Sequence, residues 1–212
     1  MTGVGFPTLI LFFKRGDIIY QIRNSGWLEV ITGPMFSGKS TELIQRIEKC
    51  DIAQEDYKTF KPIIDDRYVK DKIVTHSGIE ISAIPLEDSE DILEEVYEEL
   101  DVVAIDEMQF WDKGLIDVIN RLLQKHIRVI VSGLDKSFRG EPFEISAEIL
   151  AMAEYVEKLS GVCAVCGQLG TRTQRLVDGE PAHYDEPLIK VGDSDIYECR
   201  CLKHFEIKKD SE

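Results

Sequence analysis

The distribution of apolar residues along the chain predicts short buried strands that alternate with amphipathic helices. Short, mostly apolar segments, which we interpret as strands, occupy residues 27–32, 101–105 and 128–132. A weaker predicted strand occupies 56–62, where only Tyr57 and Phe60 are strongly apolar. Apolar residues at helical spacing predict helices at 41–47, 88–100, 114–125 and 144–157. Because the strands are apolar without alternation, we expect a mostly parallel sheet that is covered by helices on both faces.

A phosphate-binding pattern, G-x-x-x-x-G-K-[ST], lies between the first predicted strand and the first predicted helix. It consists of Gly33, Pro34, Met35, Phe36, Ser37, Gly38, Lys39 and Ser40. The glycines allow the backbone to wrap a phosphate chain with its N–H groups directed inward. Lys39 would place a cation against the β and γ phosphates, and the Ser40 hydroxyl would bind Mg²⁺. The helix N-terminus that follows also favours an anion, whereas a simple glycine turn would need neither Lys39 nor Ser40.

An acidic pair follows the predicted strand 101–105. Asp106 stands where a P-loop enzyme carries the acidic residue that positions Mg²⁺. Glu107, one residue further, is close enough in sequence to accept the proton of a hydroxyl group that attacks phosphorus. We therefore hypothesise that Glu107 is the catalytic base, and the alternative is an ordinary acidic strand end.

Two pairs of cysteine and histidine residues form a candidate metal site. Cys163 and Cys166 form a CxxC pair, and Cys201 and His204 form a CxxH pair after an interval of 34 residues. Three thiolates and one imidazole are a typical ligand set for structural zinc. Cys199 leaves open a pairing with Cys201, and a redox-active CxxC is a further alternative. We favour Cys201 and His204, because a two-residue gap lets both ligands face one ion.

The composition changes after residue 159, where Gly, Thr, Asp, Pro and Cys become frequent and helical periodicity disappears. We therefore predict an α/β domain of the P-loop NTPase type with a mostly parallel sheet, followed by a small zinc-containing, loop-rich subdomain. The predicted units are a poorly ordered extension at 1–26, the α/β domain at 27–159, the zinc subdomain at 160–205 and a tail at 206–212. The apolar stretch 6–13 lacks the basic residues and the cleavage site of a signal peptide.

Composition and charge narrow the class of protein. The 212 residues are 43% hydrophobic and 31% charged, as in ordinary globular proteins, and carry a net charge of −15. That charge argues against a dedicated nucleic-acid binder, and no apolar run approaches the roughly 20 residues that span a membrane. Five cysteines, an odd number, favour a reducing compartment, with Cys50 as a free thiol. We expect a cytoplasmic protein without nucleic-acid or membrane partners.

Taken in order, six motifs resemble those of type II thymidine kinases. They lie at residues 33–43, 61–68, 105–110, 133–135 and 138–143 and at the two metal-binding pairs. The resemblance extends from Trp27 to about Phe205. It implies transfer of the γ-phosphate of ATP to the 5′-hydroxyl of thymidine or deoxyuridine, which gives dTMP from thymidine and serves nucleotide salvage for DNA synthesis. It also implies Mg²⁺ with ATP, structural Zn²⁺ and a homotetramer.

The resemblance further implies roles for individual residues. Glu107 matches the catalytic base, and Phe138 matches the aromatic residue that packs on thymine. ATP would be bound by the phosphate loop together with Asp65, Asp66, Arg67, Asp106 and Gln109. Of these, Gln109 would lie beside the substrate sugar. Mg²⁺ would be bound by Ser40 and Asp106. A lasso within the zinc subdomain would grip the base through the backbone of Leu188, Ile189, Lys190, Val191 and Gly192, and Tyr197 would close over it.

Two positions depart from the family pattern, and three other functions compete with it. His204 stands where many relatives have Cys, and Asp193 follows Gly192 where a second Gly is common.

The alternative functions are a P-loop kinase for another small molecule, a non-catalytic nucleotide sensor, and a zinc-ribbon ATPase that depends on nucleic acid. The ATPase would need basic and aromatic residues near the zinc pairs. The insert instead carries Asp178, Glu180, Asp185, Glu186, Asp193 and Asp195.

Overall fold

The computed structural model describes residues 26–63, 71–74, 80–188 and 197–209. In the first part of the chain the strands are β1 Trp27–Thr32, β2 Tyr57–Pro62, β3 Lys72–Val74, β4 Glu80–Ser82, β5 Ile84–Leu86, β6 Val102–Ile105, β7 Arg128–Gly133 and β8 Tyr155–Lys158. Six of them form one parallel sheet in the order β5-β2-β6-β7-β1-β8. Strands β3 and β4 form a separate antiparallel pair. The predicted parallel sheet is therefore confirmed.

Apolar side chains cover both faces of this sheet. The helices are α1 Lys39–Ala53, α2 Leu115–Gln124 and α3 Glu144–Met152. Alternate residues of β6 enter opposite cores: Val103 and Ile105 lie in the cluster that contains the buried face of α2, while Val102 and Ala104 lie with α1. This two-sided burial explains why β6 is apolar at every position.

Two predicted helices are wrong in part. The prediction at 144–157 fails after Met152, because Ala153 is extended and Tyr155–Lys158 becomes β8, which pairs with β1. This pairing satisfies backbone groups of β1 that would otherwise form a sheet edge. The prediction at 88–100 is wrong in type, since the chain forms a 3₁₀-helix at Ser89–Glu95. Asp112 accepts hydrogen bonds from the backbone and hydroxyl of Ser89, which fixes where this short helix begins.

The remaining strands lie in the predicted zinc subdomain. They are β9 Gly161–Val162, β10 Leu169–Gly170, β11 Arg172–Val177, β12 Glu180–Pro181 and β13 Tyr197–Arg200. The first two form a hairpin, and β11 is the central strand between β12 and β13. Within the described parts of the chain, no helix combines the length and apolarity that would be needed to cross a lipid bilayer.

A buried cluster of charged residues fixes helix α1 to the sheet. The Arg46 guanidinium donates to Glu29 on β1 at 2.6 Å, to Glu42 at 2.9 Å, and to Glu157 on β8. Arg128 on β7 donates to the second oxygen of Glu29 at 2.7 Å. Because α1 begins in the phosphate loop, this cluster sets the position of the loop relative to three strands.

We predict that Arg46→Met lowers the free energy of unfolding by about 3 kcal/mol, because within the described parts of the chain it leaves buried Glu29 with Arg128 as its one charged partner. Chemical denaturation followed by circular dichroism measures the change. The matched control is Lys113→Met, which removes an ion pair whose two side chains are 71% and 70% exposed and should leave the midpoint unchanged. Equal midpoints for both variants would contradict the assignment of the Arg46 cluster as a structural support.

Candidate functional site

The phosphate-binding motif forms the predicted loop between β1 and α1. Gly33 and Gly38 have φ angles of 149° and 87°, and a Cβ atom on Gly33 would lie 2.5 Å from the carbonyl oxygen of Leu159. The Ser37 hydroxyl and the Lys39 ammonium both donate to the carbonyl of Pro34 at 2.8 Å. Both side chains therefore converge on this carbonyl, and the Lys39 ammonium lies against the backbone of the loop.

Asp106 lies buried at the carboxyl end of β6. Its carboxylate accepts hydrogen bonds from the Ser132 hydroxyl on β7 and from the backbone N–H of Glu107 at 2.9 Å. Burial raises the pKa of Asp106, and the negative charge of Glu107 raises it further, to about 7. The two hydrogen bonds oppose this shift, because they stabilise the ionised form. A nearby cation would therefore strongly stabilise the ionised form of Asp106.

Lys39 and three acidic residues lie at the same edge of the sheet. Burial lowers the pKa of Lys39, and the negative charges of Glu107, Asp106 and Asp135 oppose the shift. These acids follow β6 and β7, while Lys39 follows β1, which is adjacent to β7. The carboxylate of Asp106 and the hydroxyl of Ser40 are the kinds of oxygen ligand that Mg²⁺ prefers. The donor set at this edge therefore fits the predicted magnesium ion.

Glu107 is held in place by Gln109. Its backbone lies in the left-handed region, with φ 53°, which is uncommon for a residue other than glycine. The side-chain amide of Gln109 donates to the Glu107 carboxylate, and its oxygen accepts from the backbone N–H of Leu134 at 2.8 Å. A Cβ atom on Gly133 would lie 2.5 Å from that oxygen. Sequence reasoning missed the support from Ser132, Gly133 and Leu134, since contacts between distant strand ends leave no local pattern.

Phe138 lies buried against an arginine that sequence reasoning also missed. The side chain of Arg175 on β11 is fully buried, and its guanidinium carbon lies 5.2 Å from the centre of the Phe138 ring. It donates to the carbonyl of Pro187 at 2.6 Å, immediately before Leu188, which is 40% exposed. Tyr197 on β13 is the register partner of Arg175. The structure thus gathers Phe138, Tyr197 and the start of the predicted lasso around one guanidinium.

Other predicted site residues lie outside the described parts of the chain. On the nucleotide side these are Asp65, Asp66 and Arg67, and in the lasso they are Ile189, Lys190, Val191 and Gly192. Their roles stay predictions.

The zinc subdomain contacts the phosphate loop directly. The backbone N–H of Met35 donates to the Thr173 hydroxyl on β11 at 3.0 Å. A Cβ atom on Gly161 would lie 2.7 Å from the Cys199 sulfur and 3.0 Å from the carbonyl oxygen of Phe36. Only glycine therefore allows β9 to approach the loop this closely.

Cys163, Cys166, Cys201 and His204 converge, with their ligand atoms all within 4.8 Å of one another. The sulfurs of Cys166 and Cys201 are 3.9 Å apart, and Nδ1 of His204 lies 3.3 Å from the Cys201 sulfur and 3.7 Å from that of Cys163. Tetrahedral zinc with Zn–S bonds of about 2.3 Å places two sulfurs about 3.8 Å apart, so these side chains fit the ion.

The cluster also decides between the alternative cysteine pairings. Cys199 is not part of it, because its sulfur lies against Gly161 and Gly170 instead. Burial raises the pKa of the Cys163 thiol, but backbone N–H groups of the two knuckles and the His204 ring outweigh it and lower the pKa to about 5. Because the thiolate is the form that binds metals, this environment suits a zinc ligand.

A comparison with protein-family models identifies the family to which the chain belongs. A model described as thymidine kinase matches residues 26–205, which is more than four fifths of the chain. The matched region includes the phosphate loop, the acidic pair and the four residues of the metal cluster. It confirms the family that the motifs predicted.

We predict that the purified protein binds one zinc ion and that Cys201→Ser loses most of it, because three ligands hold the ion far less tightly than four. Elemental analysis of protein prepared without chelator measures the zinc. Cys199→Ala is the matched control, since it removes a neighbouring cysteine that lies outside the cluster. Zinc loss in the Cys199 variant with retention in the Cys201 variant would overturn this ligand set.

Proposed function

We propose that this chain, which belongs to the thymidine kinase family, transfers the γ-phosphate of ATP to the 5′-hydroxyl of thymidine and, less efficiently, of deoxyuridine. The product from thymidine is dTMP, and the reaction serves nucleotide salvage for DNA synthesis. One observation carries the proposal within this family: the phosphate loop with Lys39 follows β1 at the same edge of the parallel sheet at which Asp106 and Glu107 follow β6.

The phosphate loop would hold the triphosphate of ATP. Its backbone N–H groups and the start of α1 favour an anion, and Lys39 adds a positive charge. In the described structure the Lys39 ammonium donates to the Pro34 carbonyl, a neutral acceptor that a phosphate oxygen would readily replace. Ser40 and Asp106 would hold Mg²⁺, which neutralises charge on the phosphate oxygens when bound.

Glu107 would accept the proton of the 5′-hydroxyl. The O5′–H bond breaks as O5′ bonds to the γ-phosphorus, and the bond between that phosphorus and the β,γ-bridging oxygen breaks to release ADP. Gln109 donates to the Glu107 carboxylate and is itself held by Leu134, so the base is oriented before substrate arrives. Such preorganisation avoids reorienting the carboxylate during the reaction.

The nucleoside base would stack on Phe138 and be held by the backbone of residues 188–192, with Tyr197 closing over it. Fixed N–H and C=O groups reject cytosine, because its donors and acceptors would leave buried groups unpaired. Deoxyuridine lacks only a methyl group, so discrimination against it should be roughly 10-fold to 200-fold.

Zinc would have a structural role in this enzyme. By joining the two ends of the insert, it would keep the base-binding lasso in one position. We also propose a cytoplasmic homotetramer, on the resemblance to the family alone.

A panel of acceptors tests the proposal. ADP formation is measured with thymidine, deoxyuridine, deoxycytidine and single-stranded DNA, each with ATP and Mg²⁺. We expect strong stimulation by thymidine, weaker stimulation by deoxyuridine, and none by deoxycytidine or DNA. Stimulation by DNA alone would favour the zinc-ribbon ATPase, and stimulation by deoxycytidine alone would indicate another nucleoside kinase.

We predict that Glu107→Gln lowers kcat by about 10²-fold to 10⁴-fold, because the amide cannot accept the hydroxyl proton. The KM for ATP should change little, since the phosphate loop is intact. Steady-state kinetics with thymidine measures both constants. Glu144→Gln is the control, because this glutamate is 70% exposed and, among the described residues, forms its ion pair with exposed Lys113. A kcat for Glu107→Gln within a few-fold of the parent would rule out Glu107 as the base.

A further inference from the structure

Residues 205–209, here called the anchor segment, follow the second zinc knuckle and lie beside residues 182–188, here called the incoming limb. Lys208 pairs with His183 in a parallel β-bridge. The backbone N–H of Tyr184 donates to the Lys208 carbonyl at 2.8 Å, and the N–H of Lys208 donates to the Ala182 carbonyl at 3.3 Å. The first half of the incoming limb is therefore held by the backbone of the anchor segment.

A fully buried glutamine fixes the anchor segment to β11. The side-chain oxygen of Gln174 accepts from the backbone N–H of Glu206 at 2.9 Å, and its nitrogen donates to the Glu206 carbonyl at 2.9 Å. The amide thus pairs with Glu206 as a neighbouring strand would. Gln174 has no exposed surface, so its amide is shielded from competition with water, whereas Glu206 is exposed.

The anchor segment also touches the loop that carries Phe138. A Cβ atom on Gly140 would lie 3.1 Å from the ring of Phe205, so this ring packs directly on the Gly140 backbone. Tyr184 of the incoming limb donates to Glu141 of the same loop at 2.7 Å, and the Lys209 ammonium lies 4.6 Å from the centre of the Tyr184 ring. One short segment therefore joins β11, the incoming limb and the Phe138 loop.

Two arginines hold the second half of the incoming limb. Arg139 donates to the carbonyl of Glu186 at 3.1 Å, and Arg175 donates to that of Pro187. Both contacts lie immediately before Leu188, where the proposed base-gripping backbone begins. The guanidinium of Arg139 also lies 4.7 Å from the centre of the Tyr184 ring, so the contacts that hold the two halves of the limb are linked.

We propose that the anchor segment is a positioning element of the nucleoside site and not a passive tail. This inference rests on the proposed function, since it assigns the incoming limb to thymidine binding. The anchor segment would act on thymidine indirectly, through its contacts with the incoming limb and the Phe138 loop. The phosphate loop, which would bind ATP, instead connects β1 to α1. Its loss should weaken thymidine binding and leave ATP binding nearly unchanged.

A pair of shortened chains tests the proposal. A chain ending at Glu206 loses residues 207–212, which include Lys208 and Lys209, while its matched control, a chain ending at Lys209, loses only residues 210–212. We expect the KM for thymidine to rise about 10-fold in the shorter chain, as when the limb is correctly placed in one tenth of the molecules. The KM for ATP and the zinc content should match those of the control.

The outcomes separate this inference from the proposed function. A full chain that does not phosphorylate thymidine overturns both. An active full chain, with equal KM values for thymidine in the two shortened chains, overturns the positioning role alone. Equal increases in the KM for thymidine and for ATP would also overturn it, because they indicate general loosening of the fold.

A substitution covers the case in which the shorter chain fails to fold or loses zinc. Gln174→Glu keeps the acceptor for the N–H of Glu206 but removes the donor to its carbonyl. We expect the KM for thymidine to rise above that of the full chain, with the KM for ATP unchanged. Gln124→Glu, at an exposed position at the end of α2, is the matched control. Equal KM values for thymidine in these two variants would overturn the proposal.

Discussion

Burial of both faces of the parallel sheet is the constraint on which the rest of this structure depends. Apolar side chains fill both sides of β6 and β7, so the polar side chains of these two strands lie near their ends. Lys39, Asp106, Glu107 and Asp135 lie at the carboxyl edge of the sheet, where the negative charges of the three acids oppose the lowering of the pKa of Lys39 by burial. The close carboxylates repel one another, and the raised pKa of Asp106 reflects that repulsion together with burial. A bound cation would relieve it.

Close packing converts this edge of the sheet into a defined arrangement. Gly133 gives the Gln109 oxygen room to accept from Leu134, and the Gln109 nitrogen then orients Glu107. The left-handed backbone of Glu107 is sustained by these contacts, because an isolated non-glycine residue rarely adopts it. The proposed base is therefore positioned by two neighbouring strand ends.

Strand β11 connects the two halves of the proposed reaction site. Three consecutive buried residues of this strand make three different contacts: Thr173 binds the phosphate loop, Gln174 binds the anchor segment, and Arg175 binds the incoming limb. The strand is itself paired with β13, which leads into the second zinc knuckle. In this arrangement a zinc ion bound by the cluster would support both the nucleotide side and the nucleoside side through a single strand.

The sequence by itself determined the parallel sheet, the phosphate loop, the CxxC and CxxH pairs and the family. Those features depend on local information, namely continuous apolar runs, glycines at fixed spacing and paired ligands. Only the tertiary structure decided that residues 155–158 extend the sheet as β8, that Cys199 lies outside the metal cluster, and that Arg46, Gln109 and Arg175 are supports. Each of these findings depends on contacts between residues far apart in the chain or on the direction in which a side chain points. The local pattern of polar and apolar residues contains no information on either.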